Sequence, residues 1–208
     1  MANKKERKLT EKEKLRTEKI DTLTKELESQ GYVRKDQIIS MTYASGMGVV
    51  YFLVACVLFG ALFVLKNGLA FQWNMPFLVF LIIELVLIFV HEAIHGVTWA
   101  IFAPSHFKVI EFGFMLDKLA PYCYCGEQLK KHAYLLGSVM PTLILGVIPC
   151  IAAIFINSFP LLLIGLFNIL GGGGDLTIDF KILTYKTDAS EQVIMDHPNE
   201  CGLIFFEK

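Results

Sequence analysis

Residues 76–103 read "PFLVFLIIELVLIFVHEAIHGVTWAIFA", a run that is apolar and long enough to cross a bilayer as one helix. Four ionisable side chains interrupt this run: Glu84, His91, Glu92 and His95. Such groups are costly in a membrane and mark functional sites there. The segment is therefore predicted to be a transmembrane helix that carries a functional site.

The composition of the whole chain also indicates a membrane protein. Hydrophobic residues make up 54% of the 208 residues, and the mean hydropathy is +0.53. Of the 19 Lys and Arg residues, 11 lie in residues 1–44, where acidic residues are interleaved with them. This mixture argues against a nucleic-acid partner, and it favours anionic lipid headgroups as the neighbours of the basic end.

Three further apolar runs are long enough to span a bilayer, namely 45–65, 133–157 and 161–183. Together with residues 76–103 they predict a mainly α, polytopic membrane protein with about four transmembrane helices. Pro141 is predicted to kink the third span. The chain is divided into a cytosolic basic N-terminal helix and linker (1–44), a transmembrane core (45–183) and a cytosolic C-terminal tail (184–208).

The segments outside the spans also carry structural signals. Thr10 and Glu13 have the spacing of a capping box at the start of an amphipathic helix over residues 10–30. This helix lies on the membrane surface or against the core, or it is a solvated extension. Residues 32–44 are predicted to be a linker. In the loop at 104–131, "HFKVIEFGFML" and "PYCYC" predict a β-hairpin, and "CGLIFFE" near the C-terminus resembles a strand.

The charge distribution predicts the orientation of the spans. With four spans, the N-terminus, the loop at 104–131 and the C-terminal tail share one side of the membrane. The connections on the other side contain no Lys or Arg apart from Lys66 at their edge. The positive-inside rule then predicts a multi-pass protein of the cell membrane with both termini in the cytosol.

The sequence His91-Glu92-Ala93-Ile94-His95 has the form H-E-x-x-H. On a helix the two histidines lie on one face, so both imidazoles can bind one zinc ion. Glu92 can reach the water side of such an ion, where it would act as general base on a zinc-bound water. The alternative is a structural histidine pair that is bonded to backbone or water.

A third ligand is predicted from depth in the membrane. His91 lies 15 residues into the second span counted from Pro76, and Asp175 lies 14 residues into the fourth counted from Leu161. At the helical rise per residue, both are about 20 Å below the same surface. The four glycines that precede Asp175 should break or loosen the helix, which is tolerated in a bilayer where the chain lines a polar cavity. Close helix packing is the alternative role of these glycines.

Other polar residues are candidates for supporting roles. Asp179 is the runner-up ligand or a partner of the ligands, one turn beyond Asp175. Glu84 lies about 10 Å from His91 by helical rise, too far to share the ion, but it can hydrogen-bond within the cavity or belong to a water path. Asn168 could hold a substrate strand through its amide. His132 and Glu111 are weaker ligand candidates.

With these residues the chain resembles a small bacterial family of membrane zincin peptidases of unknown function. The resemblance covers roughly residues 45–205 and is carried by "HEAIHG", "APYCYC", "GSVMPTLILG" and "GGGGDL". More distantly the chain is similar to the site-2 proteases, which bind zinc through H-E-x-x-H on one transmembrane helix and an aspartate on a later one. The resemblance implies that His91, His95 and Asp175 bind zinc and that Glu92 is the general base.

The leading functional prediction is a membrane-embedded zinc metallopeptidase that acts on a peptide or membrane-protein substrate. The strand predicted at 107–115 could pair with such a substrate by strand addition. Two alternatives remain open: a non-catalytic metal-binding membrane scaffold, with a closed metal shell, and a small ion transporter. The sequence leaves the substrate and the oligomeric state unknown.

Overall fold

The computed structural model describes residues 10–69, 71–115 and 120–208, so the basic residues among the first nine lie outside the described part. The described chain is mainly helical, with two small β-sheets. Its helices are α1 (Glu11–Ser29), α2 (Met41–Asn67), α3 (Phe77–Phe102), α4 (Lys131–Pro141), α5 (Ile148–Ile156), α6 (Phe159–Gly171) and α7 (Gly173–Thr184). Its strands are β1 (Val33–Ile38), β2 (Ile110–Met115), β3 (Ala120–Cys125), β4 (Leu129–Lys130), β5 (Gln192–Asp196) and β6 (Gly202–Glu207).

Three helical segments are long and apolar enough to cross a membrane: α2, α3 and the continuous run Lys131–Ile156. That run joins α4 to α5 through a π-helical segment, Thr142–Val147, which directly follows Pro141. Proline has no backbone N–H and crowds the preceding turn, so it disturbs a helix locally, and the helix type changes directly after Pro141. The irregularity predicted at Pro141 takes this form.

The fourth apolar run is broken. Helices α6 and α7 are bent by 53° relative to each other, so the pair is either one broken span or a re-entrant loop. The break falls at Gly172, inside the run of four glycines, as predicted. Close packing also contributes, because a Cβ on Gly173 would lie only 2.2 Å from the Cα of Gly48 on α2. The glycines therefore serve both of the roles that the sequence suggested.

The segment predicted to be a linker contains a strand, which corrects that prediction. Strand β1 pairs antiparallel with β6, from Val33 opposite Glu207 to Ile38 opposite Gly202, in a four-stranded sheet of order β1-β6-β5-β4. Strand β1 reads "VRKDQI" and lies at the edge of the sheet, where charged side chains are common. The strand predicted from "CGLIFFE" is confirmed as β6. Because β1 and β6 pair, the N- and C-terminal parts of the described chain lie at the same end of the helical bundle.

Helix α1 begins with the predicted capping box: the Thr10 hydroxyl accepts from the Glu13 N–H, and the Glu13 carboxylate accepts from the Thr10 N–H. Ile20 and Leu27 of its apolar stripe are buried in a cluster with residues of β5 and β6. The helix therefore packs against the four-stranded sheet, which excludes the solvated extension.

The predicted β-hairpin is confirmed in its two strands. Strand β2 pairs antiparallel with β3, with Phe112 opposite Cys123, while the connection at 116–119 lies outside the described residues. The hairpin packs on the C-terminal half of α3 at Gly96, where an added Cβ would lie 2.5 Å from the Phe112 ring. The residue after the second histidine thus lets the hairpin approach the site.

Candidate metal centre

Helices α3 and α7 bring three of the predicted site residues together. His91 Nε2 lies 3.0 Å from Asp175 Oδ2 and 3.1 Å from His95 Nε2, and His95 Nε2 lies 3.4 Å from the same carboxylate oxygen. His91 and Asp175, which the sequence predicted to lie at the same depth, are therefore in direct contact. Within the described residues, this trio is the group of His, Cys, Asp and Glu whose geometry could hold a metal ion.

The spacing of the three atoms suits a zinc ion. Ligand atoms about 2.0–2.1 Å from a tetrahedral zinc are about 3.3 Å from one another, close to the 3.0, 3.1 and 3.4 Å observed here. Two imidazole nitrogens and a carboxylate oxygen are also ligands that zinc prefers. Three acceptor atoms that face one point repel each other unless a proton or a cation lies among them. The residues present therefore fit a zinc site with three protein ligands.

The orientation of His95 is set by the backbone of α4. Its Nδ1 lies 2.8 Å from the carbonyl oxygen of Gly137, which can only accept a hydrogen bond. Nδ1 must therefore carry the proton, and Nε2 presents its lone pair to His91 and Asp175. One face of the ring stacks on Trp99, with centroids 5.0 Å apart. Metal-binding histidines commonly receive this kind of support.

The break between α6 and α7 places Asp175. The residue lies in the first turn of α7, where the helix dipole favours a negative charge. The Ser138 hydroxyl donates to the Asp175 backbone carbonyl over 3.4 Å, which ties this turn to α4. A continuous α6–α7 helix would send the chain in another direction, so the glycine-rich break positions the carboxylate.

Glu92 is half-buried next to the trio and lines a cavity of about 490 Å³ that His91, His95 and Asp175 also line. The backbone N–H of Cys123 on β3 is directed at its carboxylate. Glu92 is outside the trio that could hold a metal ion. The cavity continues past Glu84 and Asn168 on one side.

Comparison with protein families bears on this constellation. The family model described as "Putative zincin peptidase" matches residues 84–190, slightly more than half of the chain. The chain belongs to this family. Its description points to a metallopeptidase with zinc as cofactor. No curated protein and no solved structure matches the chain, and the distant similarity to site-2 proteases stays a prediction.

Asn168 and Glu84, the two polar residues further along the cavity of this zincin-family chain, are hydrogen-bonded to each other. The Asn168 amide nitrogen lies 3.4 Å from Glu84 Oε2 and donates to the Ile164 carbonyl over 2.9 Å. The other Glu84 oxygen is buried and has no hydrogen-bond partner among the described residues. Both side chains line the cavity, and the water path through Glu84 stays a prediction. In this arrangement the Asn168 amide nitrogen donates its hydrogen bonds to groups of the protein itself.

The remaining ligand candidates lie outside the trio. Asp179 is buried one turn beyond Asp175, next to Ser138. Glu111 forms an ion pair with Arg16 of α1, at 2.6 Å, on the side of the hairpin that faces α1. His132 is exposed at the start of α4, beside the Phe102 ring.

Several residues that shape the candidate site were not among the residues predicted from the sequence. Gly137 acts through its carbonyl and through the absence of a side chain, because an added Cβ would lie 2.0 Å from Trp99 Nε1. Trp99 donates from Nε1 to the Tyr134 carbonyl over 3.2 Å. Its position four residues after His95 places it on the same helix face, which is the one hint that the spacing gives.

Proposed function

We propose that the chain is a membrane-embedded zinc metallopeptidase. The observation that carries the proposal is the convergence of His91, His95 and Asp175 within 3.4 Å of one another, with Glu92 beside them on the wall of a cavity. The family described as zincin peptidases supports the same conclusion.

The apolar helices support a place in the membrane. Much of the surface of α2 and α3 consists of exposed large apolar side chains, which lipid would cover. At the end of the bundle away from the sheets, Lys66 Nζ bonds to the carbonyls of Ile154 and Phe155, which fixes α2 and α5 together. The other end of the bundle carries α1 and the sheets, and most of the Lys and Arg residues lie there. The positive-inside rule therefore favours the cytosol for that end.

His91, His95 and Asp175 would hold the zinc ion. Three protein ligands are the usual number for a catalytic zinc, because one coordination position is left open. When bound, the ion polarises a carbonyl group and lowers the pKa of water. The hydrogen bond from His95 Nδ1 to Gly137 keeps the Nε2 lone pair directed at the site.

Glu92 would serve as general base. Its carboxylate would take a proton from the attacking water and later deliver it to the amine that leaves. The Cys123 N–H that is directed at this carboxylate would hold it in place. Asn168 and Glu84 would line the part of the cavity that receives the rest of the substrate.

Strand β3 lines the cavity with residues 120–124, whereas Met115 is the residue of β2 that lines it. The edge of β3 is therefore a candidate for substrate pairing beside the segment 107–115 that the sequence suggested. In an antiparallel pair, alternate residues direct both N–H and C=O away from the partner strand. Along the outer edge of β3, Pro121 lacks an N–H and those of Cys123 and Cys125 are directed at the carboxylates of Glu92 and Asp196. An extended peptide would therefore pair with this edge through the carbonyls of Pro121 and Cys123.

Metal analysis tests the proposal on detergent-purified protein. We expect near-stoichiometric zinc in the wild type and in Glu92→Gln, and loss of zinc in His91→Ala and Asp175→Ala. His132→Ala is the matched control, because this exposed histidine is outside the trio. No metal in the wild type after gentle purification would contradict the proposal and favour the small ion transporter.

A peptide-library digestion, analysed by mass spectrometry, tests catalysis separately. We expect cleavage by the wild type and none by Glu92→Gln, although that variant keeps its zinc. Stoichiometric zinc without cleavage of any peptide or membrane-protein substrate would favour the non-catalytic metal-binding scaffold.

A further inference from the structure

Asp196, at the end of β5, contacts the two elements that flank the candidate metal centre. Its Oδ2 accepts the backbone N–H of Cys125 on β3 over 2.8 Å. Its Oδ1 accepts the hydroxyl of Tyr134 on α4 over 2.5 Å. The residue lies beyond residue 190, where the family match ends, and it lines the same cavity as Glu92.

One of these contacts leads to Glu92. Cys125 and Cys123 are two residues apart on β3, so their N–H groups point to the same side of the strand. The first is bonded to Asp196 and the second is directed at the Glu92 carboxylate. The position of β3 relative to Glu92 therefore depends on the carboxylate of Asp196.

The other contact leads to His95. The buried Tyr134 accepts the indole N–H of Trp99 at its backbone carbonyl, and the Trp99 ring stacks on His95. One turn further along α4, the Gly137 carbonyl binds His95 Nδ1. The bond from Tyr134 to Asp196 thus anchors the turn of α4 that orients this histidine.

We propose that Asp196 is a positioning residue that holds the general base and the ligand His95 in register, from a strand outside the family-matched segment. The inference rests on the proposed function. Desolvation raises the pKa of Asp196 to about 6 although the carboxylate accepts two hydrogen bonds, so the protein keeps an acid here at a cost in stability.

Cobalt(II) is a suitable probe, because its visible absorption reports the geometry of its ligands as well as occupancy. The experiment uses the full-length chain in detergent and compares the wild type with Asp196→Ala, Asp196→Asn and Tyr134→Phe. Asp188→Asn is the matched control, since Asp188 is an exposed acid in the same tail.

We expect Asp196→Ala and Tyr134→Phe to bind cobalt(II) at least about tenfold more weakly than wild type, with an altered spectrum at saturation. Asp196→Asn should keep most of the affinity, because its amide oxygen can accept from Cys125 and its nitrogen can donate to the Tyr134 oxygen. Hydrogen exchange in residues 120–125 should accelerate in Asp196→Ala, and Asp188→Asn should match the wild type in both measurements.

Folded Asp196→Ala and Tyr134→Phe variants with wild-type cobalt(II) affinity and spectrum would overturn the inference, even if hydrogen exchange in β3 changed, because Asp196 would then hold only the fold together. If Asp196→Ala does not fold, Tyr134→Phe decides, since it removes a single oxygen and keeps the backbone carbonyl that binds Trp99. A wild type that binds no cobalt(II) would overturn the proposed function and this inference with it.

Discussion

Substitution of Gly137 by Ala should weaken metal binding through a contact that involves no ligand directly. An added Cβ would lie 2.0 Å from Trp99 Nε1 and 2.1 Å from Cδ1 of the same ring, whereas ordinary contacts begin near 3.4 Å. The indole must therefore retreat by about 1.4 Å, or α4 must move away from α3 by a similar distance. The first movement disturbs the ring that stacks on His95, and the second lengthens the 2.8 Å bond from its Nδ1 to the Gly137 carbonyl.

The size of the effect follows from the cost of overpacking. Inserting one carbon into a packed site costs about 1–3 kcal/mol. The bond from Trp99 to the Tyr134 carbonyl, at 3.2 Å, is also exposed to this shift, and its loss would cost about 1 kcal/mol. If about 2 kcal/mol of this total is lost from metal binding, the zinc dissociation constant rises roughly 30-fold.

The assay is a zinc titration against a competing chromophoric chelator, with circular dichroism as a check that the variant is folded. Gly60→Ala is the matched control, because α2 offers open space around this glycine with no atom within 4 Å of an added Cβ. The Trp73→Phe background leaves Trp99 as the single tryptophan, so its fluorescence follows the shift of the ring. A folded Gly137→Ala variant with zinc affinity within twofold of Gly60→Ala would refute the role assigned to this contact.

Three further outcomes are expected. Gly96→Ala should displace the hairpin, because its Cβ would lie 2.5 Å from Phe112, and hydrogen exchange should accelerate in β2 and β3 if the packing is as described. The pKa of Asp196 is raised to about 6, above the ordinary value of an aspartate in an unfolded chain. Its contribution to stability should therefore be complete below about pH 4 and should be lost as the pH rises through 6, by at most about 3 kcal/mol. Chemical denaturation across this range should show the loss in the wild type and not in Asp196→Asn. Removal of zinc by a chelator should lower the free energy of unfolding by about 4 kcal/mol when the free ion had been present at a thousand times its dissociation constant, and an unchanged melting temperature would contradict binding to the folded state.

The central part of the site was predictable because it follows from helix geometry. His91 and His95 share a face by their spacing of four, and Asp175 reaches the same depth by a count of residues along a second span. The run of four glycines predicted the break at Gly172, because glycine destabilises helices in any fold. These predictions needed only local rules and the thickness of a bilayer.

The parts that the sequence did not predict depend on contacts between distant segments. Strand β1 looks like a polar linker until β6, well over a hundred residues away, supplies its hydrogen bonds. Asp196 lies 71 residues from Cys125 and 62 residues from Tyr134, and no periodic pattern relates these positions. Pro141 lacks the N–H that would bond the Gly137 carbonyl in a regular helix, but the sequence does not show that His95 uses this free carbonyl.

The candidate catalytic and metal-binding residues lie in one part of the described chain, and some of the residues that line the cavity lie in other parts. Glu92 and the trio lie within the family-matched segment, 84–190, but the cavity is also lined by Arg16 of α1 and by residues 196–202. These two segments are linked, because Asn199 donates from its amide to the Thr17 hydroxyl over 2.8 Å. Arg16 is buried, pairs with Glu111 and lies 4.4 Å above the Tyr124 ring, which fastens α1 to the hairpin. Under the proposed function, α1 and residues 196–202 would control the access of a substrate to Glu92, so variation in these two segments would change what the site accepts without changing the three proposed metal ligands.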